Sequence, residues 1–501
     1  MSTASHSSNP GRRGRRRDRL KRRVAHALRT IVRRLGGRPN RSADALARQR
    51  TRREVAALAG PIAAAMAGEV VLGLVDTKLV SALGACALGG VGLAGTVLFL
   101  WYAIVFGVLR GVKVRAAFAV GEGRPEDATR YALVGVVLGA ILGTGALVIG
   151  RNPGPLLALL GASPELRPAA ETFLQAITWG APATCAVNAL IQHRQAIGDA
   201  RTPMIVGLSG NVFNGVVGYG LIYGHFGLPA LGVAGGGYAT ALTEHLELVW
   251  LGLLLARDVR RESRSSLLST RAALREITSL GVPTGVHFGA ELLAFTTFTV
   301  ILGTLGPHEI AAHQIALATL RASFLPGAAV AEAASILVGR SLGRRSLAEA
   351  DRVTSAALLL AMTFMAACGV VFALLGGPLA RFFTDEESVV AITTRLLLVA
   401  SVFQLLDAAN MVLRGALRGA KDVRFVAVVG ITVVWLSIPG AAWLLGRHAG
   451  LGALGGWLGF VAETTLGAAI LFVRYRRGAW RRAYETRDEA EEAPILATAS
   501  A

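Results

Sequence analysis

The chain has 501 residues, 53% of them hydrophobic and only 17% charged, with a mean hydropathy of +0.52. That is too apolar for an ordinary water-soluble domain and fits a polytopic membrane protein. The formal charge of +20 is gathered at the N-terminus and in short loops, so it reads as membrane orientation rather than a nucleic-acid groove. Cys86, Cys185 and Cys368 stand singly in apolar surroundings, which argues against a disulfide framework or a Cys/His metal site.

Residues 1–50 are Ser-rich and then Arg-rich, and lack the apolar core of a cleavable signal peptide. Leu20, Val24, Leu28, Ile31 and Leu35 keep helical spacing between arginines. The stretch reads either as an amphipathic helix on anionic lipid or as a disordered basic cytoplasmic tail. Apolar segments long enough to span a bilayer follow at 54–82, 86–110, 128–150, 169–194, 203–224, 231–256, 277–304, 309–338, 352–376, 391–415, 423–446 and 451–473. The predicted fold is therefore all-α with about twelve transmembrane helices. Basic residues cluster in every second loop, among them Lys113 and Arg115, Arg257 to Arg275, Arg340 to Arg345, and Arg418 to Arg424. The positive-inside rule then places both termini in the cytoplasm. The tail from 475 reads as solvated. Pro61, Pro182, Pro283, Pro326 and Pro439 predict kinks.

The chain repeats itself. Pro61, Glu69 and Leu83-Gly84 recur as Pro283, Glu291 and Leu305-Gly306, an offset of 222 residues. The expected plan is two pseudo-symmetric six-helix bundles, 51–256 and 277–474, joined by a cytoplasmic linker at 257–276. Glu69 and Asp76 lie seven residues apart on one helix face, about 10 Å along its axis. An intramembrane charge costs about 2.5–3.5 kcal/mol on insertion scales, so each acid should face a water-filled cavity or a partner. Asn211 and Asn214, three residues apart, share a helix face and could tie helices together. His287, one turn before Glu291, reads as a proton-sharing partner or a structural one. Arg321 and Glu332 predict inward ion pairs, and His313 a helix tie. Glu244, Glu247 and Glu463 fall within spans with no role legible from their surroundings.

Several segments together resemble the multidrug and toxic compound extrusion (MATE) transporters. They are VDT at Val75–Thr77, GDARTP and GNVFN within Gly198–Asn214, the stretch 283–339 with IAAHQIAL at Ile310–Leu317, and FQLLDAANMVLRGALRGAKD at Phe403–Asp422. They cover about 50–475 in family order. The resemblance implies a two-lobed antiporter exporting organic, mostly cationic, compounds against H⁺ or Na⁺. It assigns Asp76, with Asn211 and Asn214, to an N-lobe coupling site, and Glu291 and Asp407 to a C-lobe cation site where Na⁺ could bind. Two positions depart from the pattern. Gly218 stands where many members carry an Asp, and Phe403 where some carry a hydroxylated aromatic. Glu69, His287, Phe403, Arg321 and Glu332 are the candidate cavity or substrate contacts.

No P-loop is present, since GRSLGRRS at Gly339–Ser346 lacks its spacing, so no nucleotide cofactor is expected. No nucleophile–base or metal constellation suggests an enzyme. A flippase for a lipid-linked precursor and, further off, a membrane-embedded enzyme are the alternatives. A flippase for an anionic headgroup should line its cavity with Arg, whereas the predicted mid-span charges are mostly acids. The expected partners are small organic cations and membrane lipid. The expected setting is a monomer in a bacterial inner membrane.

Overall fold

The computed structural model describes residues 41–159, 161–261, 266–481 and 484. The N-terminal tail, most of the C-terminal tail and part of the expected linker lie outside the described residues. Among the described residues, those up to Thr51 belong to one unit and those from Arg52 onward to another.

All regular structure among the described residues is helical. The helices are α1 (Arg41–Ser81), α2 (Ala85–Gly121), α3 (Pro125–Arg151), the short α4 (Gly154–Leu159), α5 (Arg167–Ile177), α6 (Ala181–Ala196), α7 (Arg201–Tyr223) and α8 (Val233–Arg261). The second half has α9 (Thr270–Gly303), α10 (Pro307–Gly343), α11 (Leu347–Arg381), α12 (Glu387–Gly419), α13 (Val423–Ala441) and α14 (Gly452–Arg477). A π-helical turn, Ala442–His448, extends α13. Eleven helices among the described residues are long and apolar enough to cross a membrane.

The twelfth expected span, 169–194, is present but broken. A 3₁₀ turn, Thr178–Gly180, separates α5 from α6. Ala181 N–H bonds the Thr178 carbonyl in 3₁₀ fashion, and Pro182 has no N–H with which to restore the α pattern. Pro61, Pro283, Pro326 and Pro439 lie inside continuous helices.

The internal repeat is written into the helix ends. α2 and α10 are offset by 222 residues at both termini, as are the starts of α3 and α11 and of α7 and α13. The turns repeat as well. Gly84 and Gly306 precede α2 and α10 with φ of 102° and 136°. Gly123 and Arg345, again 222 apart, have φ of 74° and 58°. An arginine in the left-handed region is uncommon, and the shared turn geometry accounts for it.

Several predicted loop cations are helical instead. Lys113, Arg115, Arg340 and Arg418 lie within α2, α10 and α12, and Lys113 is buried. The spans run past their apolar stretches because these charges find partners inside the protein. The tail also departs from expectation at its start. Tyr475 and Trp480 are buried, and Tyr475 Oη bonds Asp351 (2.8 Å) and Thr354 (3.0 Å) on α11.

The two halves meet along the second half of α2, which packs on α9 and α10. Glycines make that approach possible. A Cβ on Gly107 would stand 2.8 Å from the Gly285 nitrogen, and one on Gly281 2.7 Å from the Val108 carbonyl carbon. Small residues let helix backbones close in this way within a bilayer. Polar contacts reinforce the seam. Arg340 donates to the Ala196 carbonyl at 2.9 and 2.6 Å, Arg130 to Thr270 at 2.6 Å, and Ser266 to Asp127 at 2.6 Å. Arg115 and Tyr131 both engage Glu276. These contacts lie at the end of the bundle that carries the basic loops.

Candidate functional site

In the first half, α1 lies along α7. A Cβ on Gly68 would sit 3.1 Å from Asn211 Nδ2, and Cβ atoms on Gly215 and Gly218 would stand 3.7 Å from Val75 and 3.6 Å from Leu79. Tyr223 Oη donates to the Leu79 carbonyl at 2.5 Å. Asp76 is half-buried on this face, with no hydrogen bond or ion pair among the described residues. Asn214 is buried, but its amide donates to Thr240 Oγ1 (3.1 Å) on α8 rather than to Asp76. A Cβ on Gly218, where the acid is absent, would make ordinary contact with Leu79 (3.6 Å), Ala239 (3.7 Å) and the Asn214 oxygen (3.7 Å).

Glu69 is exposed, two helical turns before Asp76 on the same face. It stands within electrostatic reach of Glu244 and Glu247 on α8. Glu247 lies directly against Gly210 of α7, where any Cβ would displace its carboxylate. The sequence offered one signal for these two acids: three residues apart on a helix, they share a face.

In the second half the acids are drawn around one arginine. Arg414 on α12 donates to Glu291 on α9 (3.0 Å) and to Asn410 (3.1 Å), and is paired with Glu463 on α14. Asn410 donates in turn to Glu463 at 3.2 Å. Asp407, two turns before Arg414 on the same helix, is half-buried. Glu291, Arg414 and Glu463 are the charges that act on it. Neither Arg414 nor Glu463 was among the predicted site residues. An arginine inside a predicted span was the available signal.

His287 is not placed to share a proton with Glu291. Its Nε2 is 4.0 Å from that carboxylate, whereas its Nδ1 is 3.1 Å from the Arg418 guanidinium. Arg418 also covers one side of the Phe288 ring at 4.9 Å, and Arg110 lies over the same ring at 4.6 Å. Arg110 and Lys113 of α2 then pair with Glu332 of α10 at 2.5 and 2.7 Å. A cavity of about 20 Å³, room for one water, lies among Arg110, Lys113, Glu332 and Arg418. A chain of charged and aromatic groups thus runs from the seam between the halves to the acids around Arg414.

The remaining candidates fall elsewhere. Phe403 belongs to an aromatic core, stacked on Phe460 at 5.8 Å and 2% exposed, rather than to a cavity wall. Arg321 is exposed and has no partner among the described residues, so the inward ion pair expected of it is made by Glu332 alone. His313 accepts from Trp457 Nε1 at 3.2 Å and ties α10 to α14, as expected.

The MatE family model matches residues 61–220 and 283–443, one stretch in each half. The chain is 31% identical over 432 residues to a probable multidrug resistance protein NorM of Burkholderia mallei, covering 85% of this chain and 92% of that protein. It is 30% identical to the multidrug resistance protein MdtK of Proteus mirabilis, covering 84% and 94%. Its fold is that of a MOP superfamily transporter from Pyrococcus furiosus, with a TM-score of 0.78 at 21% identity over 86% of this chain and 97% of that one. It is equally like an outward-facing multidrug resistance MATE family transporter, with a TM-score of 0.78 at 22% identity over 86% and 96%.

Proposed function

Because this chain belongs to the MatE family of membrane transporters, we propose that it is a multidrug exporter working as a secondary antiporter: organic, mostly cationic, compounds leave in exchange for H⁺ or Na⁺. The observation that carries the reading is the pair of intramembrane acids, Asp76 and Asp407. One lies in each half, and neither has a hydrogen bond or ion pair among the described residues. A carrier for cations needs fixed negative charge that the coupling ion and the drug neutralise in turn. An unpaired carboxylate within a membrane span is costly, and acids retained there mark ion and substrate pathways. Glu291 belongs to the same C-lobe constellation, and Asn211 and Asn214, on the helix that packs against α1, complete the N-lobe assignment. The substrate enters between the two lobes, and rocking at the α2–α9–α10 seam alternates access.

The basic loops set the seam end in the cytoplasm of a bacterial inner membrane, so the contacts described above close the inward side. A flippase for an anionic headgroup is disfavoured because the unpaired charges within the described spans are mostly acids, Asp76 and Asp407 among them, with Arg321 the exception.

The test is ethidium efflux from loaded cells, with and without a protonophore and with Na⁺ varied. Asp76→Asn and Asp407→Asn should each lower efflux at least tenfold while the protein stays folded in the membrane. Undiminished efflux in both variants would remove the assignment.

A further inference from the structure

The acids of the C lobe are not equivalent. Glu291 and Glu463 come from different helices, α9 and α14, and both point at the guanidinium of Arg414. All three guanidinium nitrogens are engaged: Nη1 with Glu291, Nη2 with Glu463 and Nε with Asn410. Asn410 closes the ring by donating to Glu463. The Arg414 side chain is 12% exposed and that of Glu463 8%. A guanidinium keeps its charge at every physiological pH, and its planar fork suits two carboxylates at once.

We infer that Arg414 is the built-in counter-cation of the C lobe, seated where an exchangeable cation would otherwise bind between Glu291 and Glu463, so that Asp407 alone stays open to cargo. This rests on the exporter reading only in treating Asp407 as a cargo site.

The consequence is ion selectivity. A hard cation such as Na⁺ needs several oxygen ligands converging on it. Here the oxygens of Glu291 and Glu463 that would join those of Asp407 are turned toward Arg414. Among the described residues, no three His, Cys, Asp or Glu side chains converge closely enough to hold a metal ion. A proton needs one carboxylate oxygen, and an organic ammonium one carboxylate, and Asp407 offers both. The charges facing Asp407 are Arg414 on its own helix, Glu291 on α9 and Glu463 on α14. Arg414 therefore acts as a specificity-determining residue that excludes Na⁺ from the C lobe and leaves H⁺ and organic cations.

Equilibrium binding of ²²Na⁺ to the purified full-length protein in detergent tests this directly. Wild type and Asp407→Asn should bind Na⁺ identically, because any Na⁺ taken up elsewhere is untouched by the change. The double variant Arg414→Gln/Glu463→Gln removes one charge of each sign and frees Glu291. It should gain a saturable Na⁺ site at least about tenfold tighter than any Asp407-dependent binding in wild type, and adding Asp407→Asn should abolish that site. Saturable Na⁺ binding to wild type that Asp407→Asn removes would overturn the inference. So would a double variant, folded by gel filtration, that gains no site. The wild-type comparison decides the matter even where the double variant does not fold. Ethidium transport into proteoliposomes under imposed H⁺ or Na⁺ gradients keeps the two readings apart. No transport under either gradient sinks the exporter, while the Na⁺-binding result still judges Arg414.

Discussion

Glu332 answers two cations from the other half of the chain, Arg110 and Lys113, across the seam. The Lys113 side chain is only 5% exposed, so without its carboxylate an ammonium would be left buried and unpaired. Removing one partner of a buried pair costs about 3–5 kcal/mol, far more than the pair contributes over an apolar replacement. Glu332→Gln should therefore lower the thermal unfolding midpoint of the detergent-solubilised protein by several degrees. A midpoint equal to wild type would mean that Lys113 finds water or another acid. A buried charge at Glu332 is legible from its place within an apolar span, but its partners are not. Lys113 lies just past an apolar run and reads as a loop residue until the helix is seen to continue around it. The same blindness hid Arg414. A lone arginine within a span announces that a counter-charge exists, yet Glu291 and Glu463 are 123 and 49 residues away, and only the tertiary structure brings them together.

At the level of helices, the contact between α2 and α9 depends on glycine at Gly107, Gly111, Gly281 and Gly285. Added methyl groups there meet main-chain atoms, which cannot rotate aside. Gly281→Ala should cost about 1–3 kcal/mol through overpacking. Gly73→Ala is the control, because nothing among the described residues lies within 4 Å of a Cβ there, and alanine is the better helix former. Thermal melts of the two variants should move apart, with Gly281→Ala falling and Gly73→Ala holding or rising. Equal melts would show that the seam has slack. Most helices were readable because membrane spans announce themselves by length and hydropathy. Their ends were not, because charged residues at the seam continue the helix once they are paired. The division of α5 from α6 was legible only as a proline. Pro182 predicts a kink, but the 3₁₀ turn forms before it, since the Thr178 carbonyl loses its α-helical donor.

Across the whole molecule, the 222-residue repeat relates the two halves down to the turns at Gly123 and Arg345. Two copies of one bundle, meeting along a single seam, can exchange which side is closed only if that seam parts. The seam supplies its own probe. A Cβ built on Gly339 of α10 stands 3.4 Å from Ala117 Cβ of α2, close to the spacing a disulfide needs. The double variant Ala117→Cys/Gly339→Cys should cross-link under mild oxidant and fix the seam shut. Ethidium efflux should then stop and return on reduction. The single variants treated alike should keep transporting, which also controls for Cys86, Cys185 and Cys368. Undiminished efflux from fully cross-linked protein would mean that the lobes do not separate between α2 and α10, and that access alternates through bending within each bundle at prolines such as Pro61 and Pro283.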